Sequence, residues 1–153
     1  MILSLGLDPT LGADYSLLRR AHQDGKRIVE LESMDEQMET LLNLPEDVLD
    51  QEIRLMLTYP EEAGAELLAL YNAWRQGDEE ALLVYLAQQE EVDAEFNDVL
   101  LVSRNEGFEA QAAAWLQSGE TALIAIGAAH ILGEDGLVGR LSQAGYQVTE
   151  IGR

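Results

Sequence analysis

Apolar positions follow two rhythms along this chain, one near its ends and another through its middle. Ala122 to Ile126 is a continuous apolar run, the pattern of a strand covered on both faces. Arg27 to Leu31 and Tyr146 to Ile151 also read as strands, and Met1 to Leu5 as a short strand or the stub of one. Between Ser33 and Gln117 the apolar residues recur at helical spacing instead. Leu67, Leu70, Tyr71 and Trp74 show this rhythm, and so do Phe96, Leu100 and Phe108.

Polar punctuation sets the expected boundaries. Asp14 is placed to cap a helix to about Asp24, which Gly25 ends. Ser33 followed by Glu36 predicts a capping box, opening a helix to Leu44. Pro45 opens the next helix, which draws its buried face from Val48, Ile53, Leu55 and Met56, and Tyr59-Pro60 breaks it. Pro60 to Gln76 forms another, and Gly77-Asp78 stops it and caps a successor to about Gln89. Asp93 is the expected cap of a long helix to Gln117, closed at Ser118-Gly119. Gly133 to Ala144 predicts a short helix ended by Gly145. No repeat, linker or low-complexity segment interrupts this order. The expected fold is a helix-rich α/β domain: a small, mostly parallel sheet, a large central helical insert and a C-terminal β-α-β unit with a right-handed crossover.

Charge narrows the classes of partner. The net charge is −20 over 153 residues. From Ile28 to Leu100 there are 20 Asp and Glu against only Arg54 and Arg75, while the other 80 residues are close to neutral. This balance disfavours nucleic acid and anionic lipid as partners, because phosphates are met by Lys and Arg. The acidic block reads as a solvated helical face, or as a cation binder without the fixed ligand spacing of a calcium loop. With no cysteine, the chain has neither disulfides nor thiolate chemistry. No apolar run is long enough to span a membrane, and the N-terminal residues lack the features of an export signal.

Three positions stand out chemically. His130 follows the Ala122–Ile126 run just past Gly127, at the carboxyl end of the expected strand. Ligands of open α/β sheets bind at such ends, so His130 is a candidate metal ligand or acid/base; otherwise it is an ordinary helix-entry histidine. Glu32 ends the Arg27–Leu31 strand in the same way, and its alternative is a first-turn helix acid. Arg104 breaks the apolar stripe Phe96, Leu100, Phe108. It must be paired, with Glu32 as the expected partner, or reach water. Glu32, Arg104 and His130 are expected to converge on one cleft.

The residues Gly127-Ala128-Ala129-His130, with Gly133, Gly136-Leu137, Leu141 and Gly145-Tyr146, resemble the C-terminal signature of the TraB/GumN family. That family includes the Tiki metalloproteases and the PrgY pheromone-shutdown proteins. Gly6-Leu7-Asp8 with Ala21 and Gly25-Lys26, Leu31-Glu32-Ser33 with Gln37 and Leu41, Trp74 with Gly77-Asp78, and Arg104-Asn105 fit in the same order. Family members carry two Gly-x-x-His motifs, whereas His22 here lacks the preceding glycine. The chain therefore resembles the C-terminal portion of a single family domain, without its N-terminal strand segment.

The resemblance implies a hydrolase of peptidase type that depends on a divalent metal such as manganese, cobalt or zinc. His130 and Glu32 would be ligands, or Glu32 the base. Arg104 would orient Glu32 or face an oxyanion, and Asn105 would donate a hydrogen bond to that oxyanion. The expected partner is a peptide or protein substrate, with self-association through an open sheet edge. One histidine and one carboxylate make a poor metal site, so weak activity or none is expected of this chain alone. The other reading is a binding or sequestering module without turnover.

Overall fold

The computed structural model describes residues 2–92 and 94–151. The regular structure is all-helical. After two short 3-10 turns, Ile2–Leu5 and Pro9–Leu11, come α1 (Ala13–Gln23), α2 (Met34–Leu42), α3 (Glu46–Thr58), α4 (Pro60–Gln76) and α5 (Glu79–Val92). Next are α6 (Ala94–Asn97), a π-helical turn (Asp98–Val102) and α7 (Ser103–Ser118). A 3-10 turn, Ala128–His130, and α8 (Leu137–Gln143) complete the order. α3 packs on α4, α4 on α5, and α7 on α8.

Local chemistry accounts for the helix ends. Ser33 accepts from the Glu36 amide while the Glu36 carboxylate accepts from the Ser33 amide, closing the expected capping box. Asp78 accepts from the Ala81 amide at the start of α5. Gly77 ends α4 in the left-handed region at φ 65°, where a side chain would be strained. Asp14 lies inside the first turn of α1, whose cap is Gly12; Asp8 instead caps the preceding 3-10 turn. α2 stops at Leu42, two residues before the expected Leu44, and α8 is shorter than the expected Gly133–Ala144 helix. Ile2–Leu5 is a 3-10 turn rather than a strand. Asp93 and the side chain of Val48 lie outside the described residues.

The expected sheet is the main correction. Among the described residues there is no strand, hence no parallel sheet, no β-α-β crossover and no sheet edge for self-pairing. The Ala122–Ile126 run, expected to be covered on both faces, is covered on one. Ile124 and Ile126 turn inward onto the core, whereas Leu123 is 79% exposed. Leu31 packs on the same core, and its carbonyl accepts from Gln111 of α7 at 3.1 Å. Arg27 pairs with Glu120 at 2.5 Å. These extended segments are held by side chains and by α7. A strand needs a neighbouring backbone for its N–H and C=O groups, and hydrophobic pattern alone does not supply one.

The core is narrow. Phe108 and Ala112 of α7 and Leu137 of α8 form its buried cluster, ringed by Leu31, Ile124, Ile126 and Leu141. The accessible surface is 11274 Å². A compact monomer of 16.9 kDa exposes about 7,700 Å². This fold is therefore an open one, and its buried cluster lies where α7, α8 and the His130 turn meet.

Candidate functional site

α7 carries the centre of the site. The π-helical turn before it admits one extra residue per turn, with the Ser103 amide donating to the Asp98 carbonyl. The Arg104 guanidinium folds back from the next residue onto the Leu100 carbonyl, with Nη1 at 2.8 Å. Its other edge meets Glu32: Nε donates to one carboxylate oxygen at 2.9 Å and Nη2 to the other. This two-toothed pairing fixes both planes, a geometry open to arginine and not to lysine. Gln37 of α2 adds a bond to Glu32 at 3.3 Å. Only about a fifth of either charged side chain is exposed, 18% for Arg104 and 20% for Glu32.

The next residue of α7, Asn105, is 1% exposed and uses both ends of its amide. Nδ2 donates to the Asp135 carbonyl at 2.8 Å, and Oδ1 lies 2.7 Å from His130 Nδ1. A carbonyl oxygen only accepts, so the amide nitrogen must face Asp135 and the amide oxygen must face the imidazole. His130 Nδ1 therefore carries the proton, and in the neutral ring Nε2 keeps its lone pair. His130 is itself buried, at 8% exposure. Its pKa is held below the ordinary histidine value, first by burial and next by the positive charge of Arg104, with Glu32 acting in the opposite sense.

Phe108 links the two pairs. Its ring meets His130 edge-on at 5.3 Å between centroids, and the Arg104 guanidinium carbon lies 5.9 Å from the Phe108 centroid. Glu32, Arg104, Phe108, His130 and Asn105 thus form one connected cluster from three parts of the chain. Asn105 Nδ2 spends one of its two N–H groups on the Asp135 carbonyl.

The loop between His130 and α8 is held by an ion cluster. Arg140 lies 2.9 Å from Glu109, 3.5 Å from Glu106 and 3.8 Å from Asp135. It ties α8 to α7 and to Asp135, whose carbonyl Asn105 holds. The sequence offered a signal in Glu106 and Glu109, spaced to share a helix face, and in Arg140, the single base of its helix. Gly136 is required by close approach: a Cβ there would lie 2.2 Å from the Leu132 carbonyl oxygen.

The donor set can be tested against a divalent metal. His130 Nε2 has the lone pair of a ligand. Both Glu32 oxygens already accept from Arg104. Among the described residues no group of three or more His, Cys, Asp or Glu is placed to hold an ion. Catalytic zinc sites offer three protein ligands and an open position. His130 and Glu32 do not make up such a site by themselves.

Comparison with family models decides the lineage, because the TraB/PrgY/gumN model matches residues 1–150. The chain belongs to the TraB/PrgY/gumN family. The match spans the Glu32 segment, α7 and the His130 turn together, so every member of the cluster falls within the family region. No curated protein and no solved structure matches the chain. Among the described residues, no helix is long and apolar enough to cross a membrane.

Proposed function

We propose that this TraB/PrgY/gumN chain carries a hydrolytic centre of peptidase type, with His130 as its reactive group and only weak turnover by this chain alone. The observation that carries the reading is the Asn105–His130 bond, which leaves Nε2 as the basic nitrogen. Burial keeps that nitrogen unprotonated near neutrality. A neutral imidazole so held can take the proton of a water molecule attacking a carbonyl, then return it to the leaving amine. Arg104 and Glu32 set the charge beside it, with Glu32 fixed by Arg104. A bound manganese, cobalt or zinc ion would supply Lewis acidity. His130 Nε2 would then be a ligand in place of its role as base, and the described residues leave the ion's coordination short.

A second reading, peptide binding without turnover, is favoured by one observation. An apolar cavity opens beside the turn that bears His130. Peptide cleavage by the wild type, His130→Ala and Glu32→Gln, with and without added manganese, cobalt or zinc, separates the two. Slow turnover abolished in His130→Ala supports the centre. Saturable peptide binding with no cleavage under any condition supports the second reading. Turnover equal in all three proteins overturns the site.

A further inference from the structure

The apolar cavity has a volume of about 360 Å³, within the range of small-molecule pockets. α4 contributes Leu70, Tyr71 and Trp74 to its wall, and α5 contributes Leu82, Tyr85 and Leu86. Ala128 and Ala129, the two residues before His130, form part of the remaining wall. The lining is almost wholly carbon, yet three of its side chains are aromatic. The rings of Tyr71 and Trp74 are 6.1 Å apart, tilted at 36°.

Charge along the two helices that wall this cavity is one-sided. Residues 60–90 carry seven carboxylates and a single base, Arg75. On a helix, residues four apart are neighbours. Glu66 stands one turn from Leu70, Asp78 one turn from Leu82, and Glu90 one turn from Leu86. Arg75 stands one turn from Tyr71. Three carboxylates against one guanidinium repel an anion and favour a cation. They also disfavour a second copy of this acidic face. Aromatic faces bind cations through their quadrupole, most strongly where water is excluded, and quaternary ammonium groups are bound in this way.

We propose that the cavity between α4, α5 and the Ala128–His130 turn binds an organic cation, an ammonium or quaternary ammonium group on an apolar body. The site is independent of the hydrolytic reading. Its aromatic and aliphatic walls take the body and the positive centre, and the neighbouring carboxylates set the sign. An occupant would touch Ala128 and Ala129, so binding would be felt at the His130 turn.

Amide NMR of the intact chain tests this with benzyltrimethylammonium and its uncharged isostere neopentylbenzene as probes. The cation should shift the Ala128 and Ala129 resonances saturably and bind at least tenfold more tightly than the isostere. Glu66→Gln combined with Glu90→Gln should weaken the cation severalfold and leave the isostere unchanged. Trp74→Leu, at a half-exposed ring, should weaken the cation with the fold retained. His130→Ala should still bind, which separates this site from the hydrolytic one. Equal affinity for the two probes, or no saturable shift at Ala128 and Ala129, overturns the proposal.

Discussion

Asn105 Oδ1 accepts from His130 Nδ1 at 2.7 Å while Asn105 Nδ2 donates to the Asp135 carbonyl at 2.8 Å. One buried amide therefore sets both the tautomer of the imidazole and the position of the loop after it. Nitrogen-resolved NMR of the imidazole should show the proton on Nδ1 at neutral pH; a resting Nε2–H tautomer would refute the assignment. Asn105→Ala leaves an N–H and a carbonyl without their partner in a buried place, and should cost about 2–3 kcal/mol in a denaturant titration.

The depressed pKa of His130 makes stability depend on pH with a definite sign. Its folded value lies below the ordinary 6.5 of the unfolded chain. Above that pH both states hold a neutral ring, and the contribution is fully present. As pH falls below 6.5 the unfolded chain takes the proton first, and stability is lost through the folded pKa. Relief of self-repulsion as the net charge of −20 diminishes acts in the opposite direction, so the signal is a difference between proteins. Between pH 7.5 and 5.5, in chelator-treated buffer, the Tm of wild type should fall relative to His130→Asn. A His130→Asn profile parallel to wild type would refute the linkage.

The Glu32–Arg104 pair ties the segment before α2 to α7, and about four-fifths of each side chain is covered. Removing one partner strands the other charge. Arg104→Met or Glu32→Leu should each cost about 2–3 kcal/mol, below the cost of breaking a fully buried pair because water still reaches this one. The double variant should cost about 1–2 kcal/mol less than the sum of the two single losses, a coupling read from a double-mutant cycle. Arg104→Lys should behave nearly as badly as Arg104→Met, since a lysine cannot make the two-toothed contact. Additive single losses would mean that the pair is not coupled.

The sequence made the helices legible and the sheet misleading, for one physical reason. A helix satisfies its backbone within its own segment, so Ser33 with Glu36, or Gly77 with Asp78, announces an end locally. A strand depends on another segment, and the alternation of Leu123, Ile124 and Ile126 reports only which side faces the core. The Glu32–Arg104 pairing was readable because a charge in an apolar stripe needs a partner. Asn105 was less so. Its commitment to His130 and Asp135 joins residues 25 and 30 positions away, which no local pattern encodes. The π-helical turn and the Phe108 bridge are likewise products of packing.

Two glycines in the same region should respond to alanine with opposite signs. Gly107 lies inside α7 with nothing within 4 Å of an added Cβ. A methyl group there meets open space and removes backbone freedom from the unfolded chain, so Gly107→Ala should stabilise by about 0.5–1 kcal/mol. Gly136 is the N-cap of α8, and an added Cβ would lie 2.2 Å from the Leu132 carbonyl oxygen and 2.6 Å from the Ile131 carbonyl. Those are backbone atoms and cannot swing aside, so the turn itself must open. Asp135 is the preceding residue, and its carbonyl is the acceptor of Asn105. Gly136→Ala should therefore destabilise by about 2–3 kcal/mol, as overpacking does. It should also loosen the Asn105 amide, perturbing the His130 ring resonances well beyond any change in Gly107→Ala. At about 2–4 °C per kcal/mol for a chain of this size, thermal melts resolve the two directions. A Gly136→Ala protein that melts with the wild type and keeps its His130 resonances would show that the turn tolerates a side chain, and that Asn105 does not depend on it.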